Sequence, residues 1–570
     1  MFLEIGLLGC LGYSGIEIIK TLRKKDEVKI DAVIKKNLYE EYPILYSQDD
    51  EEGVQIATNY YIQNNEFYKN AMYLNAMVIG APDSWKSTVG IYPNLLNKKL
   101  RGTIIVNDPK REYYSKTSKI QKKFGRKVKK ICFDEIEDKI NVLRELKTED
   151  DIFEFSKTIM TNSASVGFGI SQETMTWVNM SVPLLTSLFC FVKNYKTKDD
   201  NQKVDSIAEA LLLLQMVEDE SELEEILKND DMAYKYFLSY KSGGSKSNAK
   251  NSIVLNITTM LAIFLSESVR CATDETTINL NNLRKEEHVI YLCGDEVGSS
   301  KMAPVIAPII QLLLKKSIEL GPKPSLSKKE KSKILDVHFF LDEFGNMGRI
   351  ENLNQYLTMM REYRVNMYMA LQTFSQLYRL YTPSEVGAIM AGTGHILFLT
   401  NNREASTVSK IIEMASSEKR EHIESHYNES GELIKTTKRY INDKVISPSE
   451  ASAIKRGEGF LFAGSQNIMK IKFNRWFEES RYKEYDDVKL IKKPTSVLNQ
   501  ISSKAPESLI LKEHRDNKKP DISAKHNITN IKPYTKEVAV TTEVKEMNMD
   551  SFNKQKIVME YQNFIKENFK

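Results

Sequence analysis

Six short apolar runs, each ending in a polar or loop-forming residue, constrain the fold of this chain more than any other feature. In chain order the runs are NAMVIGA, GTIIVND, HVIYLCGD, VHFFLDEF, VNMYMALQT and GHILFLTNN. Continuous rather than alternating hydrophobicity is typical of parallel strands that are buried on both faces of a sheet. Candidate helices lie between the runs, so the sequence predicts an α/β fold with a doubly wound sheet.

A long helix-periodic stretch separates the first two runs from the other four. Residues 150–268 carry leucine and aromatic stripes with few strand signals, which predicts an all-α insertion. Near the end of the α/β region, GEGFLFAGSQNIMKIKFNRWFE predicts a closing hairpin. The predicted organisation is a 1–70 N-terminal segment (weak membrane anchor or small α/β unit), a first α/β part at 71–149, an all-α insertion at 150–268, a second α/β part at 269–484, and a flexible basic tail at 485–570 with a short helix at 548–568.

Composition limits the functional classes that need to be considered. The 570 residues are 41% hydrophobic and 28% charged, which suits a soluble protein. The net charge of +4 is close to neutral and does not by itself indicate a nucleic-acid binder. The five cysteines form no C-x-x-C pair, so neither a zinc site nor a disulfide framework is predicted, and a reducing, cytosolic environment is indicated.

The N-terminal stretch is compatible with three interpretations. Residues 2–19 are apolar but include two glutamates, whereas a membrane span needs roughly 20 apolar residues. Gly9, Gly12 and Gly15 are spaced as in dinucleotide-binding turns, and the stretch resembles the opening unit of N-acetyl-glutamyl-phosphate reductases. A weak anchor, an NAD site, and a strand–turn–helix that only packs therefore stay open.

The first apolar run leads into GAPDSWKST at residues 80–88, which nearly matches the phosphate-binding pattern G-x-x-x-x-G-K-[ST]. Gly80 opens the pattern and Lys86 with Ser87 closes it, but Trp85 stands where the second glycine belongs. A bulky residue at positive φ costs about 1–2 kcal/mol, and an indole lying across the phosphate path would block binding. If the ring points outward, the lysine and serine keep their function.

Polar side chains follow two later strands. Asp342 and Glu343 end the run VHFFL, where adjacent acids are costly unless a metal-bound phosphate or solvent compensates them. Gln372 ends the next run, where it is either a contact to phosphate and water or an ordinary strand end. Arg361 and Arg364 lie just before that strand, and either one is a candidate for an arginine finger or belongs to a solvated helix face.

Two further clusters have open interpretations. Residues 101–130 hold eleven Lys/Arg against two acids, which fits DNA backbone contact as well as a solvated helix beside the cleft. His422 and His426 in HIESH would lie one helical turn apart, with no third ligand for a metal in a charged segment.

These motifs, in this order, resemble those of the type IV secretion coupling proteins, the DNA-pumping ATPases of bacterial conjugation. The matching pieces are VIGAPDSWKST, IIVNDPKREYYSKTS, FFLDEFGNMGRI, MREYRVNMYMALQTFSQL and GTGHILFLTNN, spread over residues 70–480. The resemblance implies a RecA-type P-loop NTPase domain with an inserted all-α domain, and ATP and Mg²⁺ as cofactors.

The resemblance also implies roles for individual residues. Nucleotide contacts would come from Gly80, Ser84, Trp85, Lys86, Ser87 and Thr88, metal contacts from Ser87 and Asp342, and catalytic groups from Glu343, Gln372 and a neighbouring subunit's Arg361. The implied partners are single-stranded DNA, the relaxase or relaxosome, type IV secretion channel proteins and further copies of the chain in a homo-hexamer.

Family members usually begin with transmembrane helices, so the implied location is the cytoplasmic face of the bacterial cell membrane, with a cytoplasmic location as the alternative. The sequence thus predicts an ATP-driven DNA translocase. The alternative is a degenerate coupling protein that binds DNA or substrate without ATP turnover, because of Trp85. A reductase that uses the N-terminal glycine turn is a third hypothesis.

Overall fold

The structure is a computed structural model that describes residues 44–518, apart from internal gaps. The gaps are 47–52, 59, 63–70, 134–135, 166–170, 198–203, 244–246, 295–298, 400–403, 416, 428–430, 432, 465–467 and 487–506. The candidate anchor with its glycine turn and the predicted helix at 548–568 lie outside the described residues.

A nine-stranded sheet forms the centre of the described chain, in the order β14-β13-β10-β4-β9-β8-β5-β7-β6. Strands β10, β4, β9, β8, β5, β7 and β6 run parallel, and β13 and β14 add an antiparallel edge. The strands are β1 Ile44–Tyr46, β2 Val54–Ala57, β3 Tyr60–Ile62, β4 Asn75–Ile79, β5 Thr103–Asp108, β6 Lys127–Cys132, β7 His288–Cys293, β8 Val337–Leu341, β9 Val365–Leu371, β10 Thr393–Phe398, β11 Ser417–Tyr427, β12 Leu433–Lys444, β13 Glu458–Ala463 and β14 Met469–Lys472.

The inner strands are buried on both faces, as their continuous hydrophobicity predicts. In β4, Met77 and Ile79 pack into one core while Ala76 and Val78 pack into the other. The α/β prediction is therefore confirmed, and the hairpin predicted near residue 460 is formed by β13 and β14.

Strand β6 was not recognised among the apolar runs. In its sequence KVKKIC only the last three residues, Lys130, Ile131 and Cys132, are well buried, because β6 is the edge strand of the sheet. Lysine is common on edge strands because it discourages pairing with other chains. A local basic run therefore concealed a strand.

Every described element between β6 and β7 is helical. The helices are Val142–Glu145, Glu149–Ala164, Gln172–Asn194, Ile207–Met216, Glu220–Leu227, Asp231–Gly243, Ser247–Met260 and Glu267–Thr273, with a 3₁₀ turn at Ala262–Leu265. Gln172–Asn194 is long and apolar enough to cross a membrane, but two thirds (67%) of its apolar window is buried inside the fold. Its packing against the neighbouring helices accounts for this composition.

The remaining helices cover the sheet and its edges. They are Ser87–Ile91 (wound as a π-helix), Tyr92–Leu95, Glu112–Lys123, Ala303–Glu319, Lys328–Lys331, Leu353–Met359, Ser375–Leu380, Pro383–Ala391, Ala405–Met414, Pro448–Ser452, Lys483–Asp486 and Leu509–Lys518, with 3₁₀ turns at Ala71–Tyr73, Leu280–Asn282, Ser299–Met302, Phe344–Asn346, Trp476–Glu478 and Ser480–Tyr482. A small sheet of order β1-β3-β2 packs over the helix after β4, where the Gln55 N–H donates to Asn94 Oδ1 at 2.8 Å.

Two local predictions were wrong. His422 and His426 lie on strand β11, which pairs with β12 along its length, so they are not one helical turn apart. The tail predicted to be flexible includes the helix Leu509–Lys518, which binds the helical region. There Glu209 accepts hydrogen bonds from Ser508 Oγ at 2.7 Å and the Ile510 N–H at 3.0 Å.

Candidate nucleotide site

The carboxyl ends of four adjacent strands meet at one cleft. β4 leads into the loop at residues 80–86, β9 ends before Gln372, β8 ends before Asp342, and β5 ends at Asp108. Because β4, β9, β8 and β5 are neighbours and parallel, their polar ends meet at one edge of the sheet. The cleft at this edge has a volume of about 710 Å³.

The loop after β4 has the compact backbone of a phosphate-binding turn. The Gly80 N–H donates to the Leu371 carbonyl at 3.0 Å, which ties the loop to the end of β9. Any Cβ at Gly80 would collide with Ser84 Oγ, so only glycine fits there. Ser84 Oγ is buried and has no hydrogen-bond partner within the described chain. A helix begins directly after the loop, at Ser87, and the N–H groups of a helix start are suited to bind an anion.

Trp85 adopts the conformation that normally calls for glycine. Its φ is +73°, and Asp83 in the same loop has φ +62°. The Trp85 indole packs towards the β13–β14 hairpin, where the Arg475 guanidinium lies 5.0 Å from the ring centroid. The Trp85 carbonyl still accepts from the Val89 N–H at 2.9 Å, and Thr88 Oγ1 donates to it at 3.0 Å. The helix start is therefore preserved despite the substituted glycine.

Lys86 folds back over its own loop. Its ammonium donates to the carbonyls of Gly80 and Ala81, the latter at 3.0 Å. Burial lowers the pKa of Lys86, while the nearby charges of Asp342 and Glu343 oppose that shift. A phosphate in the cleft would supply the anionic partner that a buried ammonium lacks.

Asp342 is the most constrained carboxylate of the site. Its Oδ2 accepts from the Tyr113 hydroxyl at 2.7 Å and lies 3.4 Å from Ser87 Oγ, and its Oδ1 accepts from the Glu343 N–H at 3.0 Å. The Asn107 side-chain amide donates to the Asp342 carbonyl at 2.7 Å. Burial raises the pKa of Asp342, and the Tyr113 hydrogen bond opposes this rise.

Glu343 and Gln372 line the cleft on either side of the Asp342 position. Glu343 has φ +50°, accepts from Asn346 Nδ2 at 3.2 Å, and lies 4.0 Å from Lys110 Nζ. The Gln372 N–H donates to Gln376 Oε1 at 2.9 Å, which fixes the turn after β9. The structure thus brings together Lys86, Ser87, Asp342, Glu343 and Gln372, as the motifs predicted for a single site.

The residues present fit Mg²⁺ and a nucleotide. Ser87 Oγ and Asp342 Oδ2 are oxygen donors close enough to share one hydrated cation, which is the ligand chemistry Mg²⁺ prefers. The loop offers Lys86 and the backbone N–H groups of a helix start to phosphates. Within the described part of the chain, no cluster of three or more His, Cys, Asp or Glu side chains is arranged as a separate metal site.

Several site residues carry no sequence signal of their own. Tyr113 and Asn107 contact Asp342 from β5 and the helix that follows it, more than 200 positions away in the chain. An aromatic wall closes the other side of the cleft; it consists of Tyr92, Trp476, Phe477 and Tyr485. The Tyr92 and Trp476 ring centroids lie 5.7 Å apart. Tyr113 and Asn107 are far from Asp342 in the sequence and come close to it because β5 and β8 are adjacent in the sheet.

The two candidate finger arginines lie elsewhere. Both precede β9 and therefore lie at the edge of the sheet opposite the cleft. Arg364 is fixed within the chain: it pairs with Asp336 and donates to the carbonyls of Lys331 and Ile334, both at 2.8 Å. Arg361 is exposed and lines a separate surface depression beside Tyr73. Of the two, only Arg361 is available to a neighbouring molecule.

Much of the basic cluster at 101–130 is paired with acids. Arg101 and Arg126 both contact Glu287, and Lys127 contacts Glu286 at 2.8 Å. Lys129 contacts Asp138 at 2.8 Å, and Lys130 contacts Glu137 at 3.3 Å. These ion pairs connect β6 and its neighbours to adjacent segments of the chain. They favour a structural role for the cluster over contact with the DNA backbone.

Comparisons with known sequences agree with this site. The profile of a family described as "Type IV secretory system Conjugative DNA transfer" matches residues 18–505. The chain is 26% identical over 154 residues to Protein VirD4 of Agrobacterium fabrum and, over a stretch of the same length, to Protein VirD4 of Rhizobium rhizogenes. The matched stretch covers 27% of this chain and 22% of either relative, so most of their length is not matched.

Solved structures show the same fold at low sequence identity. The unbound bacterial conjugative coupling protein TrwB, in a form lacking an N-terminal segment, superposes with a TM-score of 0.55 and 16% identity. TrwB in complex with ADP and Mg²⁺ gives a TM-score of 0.55 at 15% identity. In both cases the match covers 75% of this chain and 90% of TrwB, so the fold is that of a RecA-type P-loop NTPase with a helical domain.

Proposed function

From the premise that this chain belongs to the type IV secretory system conjugative DNA transfer family, we propose that it is a coupling ATPase that drives single-stranded DNA towards a secretion channel. The observation that carries the proposal is the convergence of Lys86, Ser87, Asp342, Glu343 and Gln372 on one cleft. This set contains the phosphate, metal, water and γ-phosphate contacts that phosphoryl transfer requires.

Each residue has a role that its surroundings permit. Lys86 would leave the loop carbonyls to contact the β- and γ-phosphates, and Ser87 with Asp342 would hold a hydrated Mg²⁺, which would offset the charge of the phosphates. Glu343 would accept a proton from the water that attacks the γ-phosphorus, while the bond from that phosphorus to ADP breaks. Gln372 would contact the γ-phosphate from the end of β9.

The site needs one more group from outside the chain. Arg361 is exposed at the opposite edge of the sheet, so in this proposal it completes the cleft of a neighbouring copy in a ring, as expected of a homo-hexamer. The inserted helical domain at residues 150–268 would sit at the cytoplasmic mouth of the ring and receive the relaxase-bound single-stranded DNA. The proposed location is the cytoplasmic face of the cell membrane.

DNA-stimulated ATP hydrolysis by the purified chain tests this function. We expect Mg²⁺-dependent hydrolysis that single-stranded DNA accelerates and that Glu343→Gln reduces by two or more orders of magnitude, because the attacking water loses its base. Lys122→Ala is a matched control, since this exposed lysine lies on the helix Glu112–Lys123 beside the cleft but does not line it. Hydrolysis no faster than that of Glu343→Gln would rule out the ATPase.

A second candidate, a degenerate coupling protein without turnover, is favoured by one observation. Trp85 has φ +73°, a conformation that costs a bulky residue about 1–2 kcal/mol relative to glycine. Trp85→Gly separates the two candidates. If the native chain binds and hydrolyses ATP, the degenerate candidate is excluded; if only Trp85→Gly does so, the native site is degenerate.

A further inference from the structure

We propose that Arg475 is a positioning residue that holds the Trp85 indole clear of the phosphate path and so keeps the substituted loop able to bind a nucleotide. The inference rests on the proposed function of the cleft. It assigns a role to a residue that follows β14 and lies outside the G-x-x-x-x-G-K-[ST] pattern of the loop.

The backbone fixes where the indole starts. With φ at +73°, the backbone fixes the direction of the Trp85 Cα–Cβ bond. The indole ring can then change position only by rotation about the side-chain bonds. The ring forms part of the wall of the cleft and also borders a second depression, lined by Gly457, Lys472 and Asn474. Its rotamer therefore decides whether the phosphates have room.

Arg475 contacts the face of the Trp85 ring directly. The guanidinium lies 5.0 Å from the Trp85 ring centroid and 4.6 Å from that of Phe477, so the cation is held between two aromatic rings. Stacking of this kind contributes about 0.5–2 kcal/mol, depending on solvent exposure. That range is comparable with the strain of the tryptophan backbone.

The guanidinium is itself anchored. Arg475 Nε donates to Glu478 Oε1 at 2.8 Å, and the Arg475 N–H donates to Glu478 Oε2 at 2.8 Å. These bonds close the 3₁₀ turn Trp476–Glu478, which also carries Trp476 and Phe477 of the aromatic wall. Arg475 is thus pre-organised by the same turn that closes the cleft.

The hairpin lies directly beside the ring. A Cβ built at Gly457 would lie 3.5 Å from Trp85 Cζ3, which is an ordinary van der Waals distance. The indole therefore rests against the start of the hairpin without a clash. Loss of the Arg475 contact would free it to turn over the loop and compete with the phosphates.

We refer to the contact by which Arg475 holds the Trp85 indole as the clamp. A double-mutant cycle tests it. The affinity of a fluorescent ATP analogue is measured with Mg²⁺ for the native chain, Arg475→Ala, Trp85→Gly and the double variant. We expect Arg475→Ala to weaken binding about three- to thirtyfold in the native background, which is the stacking energy expressed as a ratio. The same change should have no effect in the Trp85→Gly background, where there is no ring to hold.

Further variants separate positioning from folding. Arg475→Lys keeps the charge and should restore part of the affinity. Arg481→Ala removes another arginine stacked on a ring, 4.7 Å from that of Tyr482, but does not touch Trp85, so it should leave affinity unchanged in both backgrounds. Thermal unfolding of each variant reports the loss of structure separately.

The outcomes distinguish the clamp from the function on which it rests. Native binding that Arg475→Ala leaves unchanged, or a loss of equal size in both Trp85 backgrounds, overturns the clamp alone. Absence of ATP binding in every variant, Trp85→Gly included, overturns the proposed function and the clamp together.

Discussion

At the scale of single residues, Tyr113 contacts the candidate metal ligand directly: its hydroxyl donates to Asp342 Oδ2 at 2.7 Å. Burial raises the pKa of Asp342, and the tyrosine opposes that rise. In its proposed role Asp342 must be ionised to hold Mg²⁺, so activity should be lost as pH falls through its pKa. Tyr113→Phe removes a hydrogen bond that lowers this pKa, so it should shift the acidic limb of the ATPase pH profile to higher pH.

The neighbouring Tyr114 provides a matched control for this prediction. Its hydroxyl lies 3.5 Å from Glu137 and does not contact Asp342, so Tyr114→Phe should leave the acidic limb in place. Equal pH profiles for the two variants would show that the Tyr113 hydroxyl does not act on the metal-binding carboxylate.

Asp108 gives a stability prediction at the same scale. Burial raises its pKa from 3.8 to about 7, and its Oδ1 finds no hydrogen-bond partner in the described part of the chain. The folded state holds this proton more tightly than the unfolded chain does. The carboxyl therefore costs stability increasingly as pH rises from 3.8 to about 7.

Asp108→Asn removes that ionisation while keeping an oxygen for the Tyr114 N–H, which now bonds Asp108 Oδ2 at 2.8 Å. We expect it to raise the free energy of unfolding at pH 8 by about 2–4 kcal/mol, and by much less at pH 5. Glu362→Gln, which changes an exposed carboxylate in the turn before β9, should have no such effect. An equal gain at both pH values would contradict the assigned ionisation.

The sequence was informative about residues that follow strands and uninformative about those that reach the site from elsewhere. Asp342, Glu343 and Gln372 end apolar runs, so parallel strands were expected to bring them together. Tyr113 and Arg475 follow no such rule. Their roles depend on which strands are adjacent, and local patterns do not encode the order of a nine-stranded sheet.

At the scale of secondary-structure elements, local patterns failed where charge obscured the hydrophobic period. The HIESH segment was predicted to be helical, but it pairs residue by residue with β12 in a long hairpin. Residues 417–427 are mostly charged or polar, so neither a hydrophobic period of 2 nor one of 3.6 is visible in the sequence. Pairing with β12 therefore determines that this segment is a strand.

Local sequence patterns also missed the helix Leu509–Lys518, and its contacts support a prediction. Its Ile510 and Leu511 are buried, and Arg515 contacts Glu222 at 3.0 Å. Without this helix, the buried Glu209 would lose its Ser508 and Ile510 donors. A chain that stops after residue 506 should therefore unfold several degrees lower than one that stops after residue 518.

Thermal unfolding of the two truncated chains is the measurement, with the full chain as reference. Burial of two aliphatic side chains is worth about 3–6 kcal/mol, which is enough to shift the transition visibly. The chain ending at 518 should match the reference because it retains the docked helix. Identical transitions for both truncated chains would show that the helix adds nothing to the helical region.

At the scale of the whole molecule, the positions of Glu343 and Arg361 predict how subunits cooperate. Glu343 lies in the cleft, whereas Arg361 is exposed at the opposite edge of the sheet. One chain therefore cannot place both groups on the same nucleotide. In a head-to-tail ring, each composite site takes Glu343 from one copy and Arg361 from the next.

Mixing two inactive variants tests this arrangement. Glu343→Gln and Arg361→Ala should each be inactive alone, but in an equal mixture about a quarter of randomly formed interfaces combine an intact Glu343 with an intact Arg361. ATPase activity should therefore reappear on mixing. Arg364→Ala, which removes the Asp336 partner within the chain, should be destabilised because its contacts are internal. If mixing restores no activity while mixed oligomers form, Arg361 does not act across subunits.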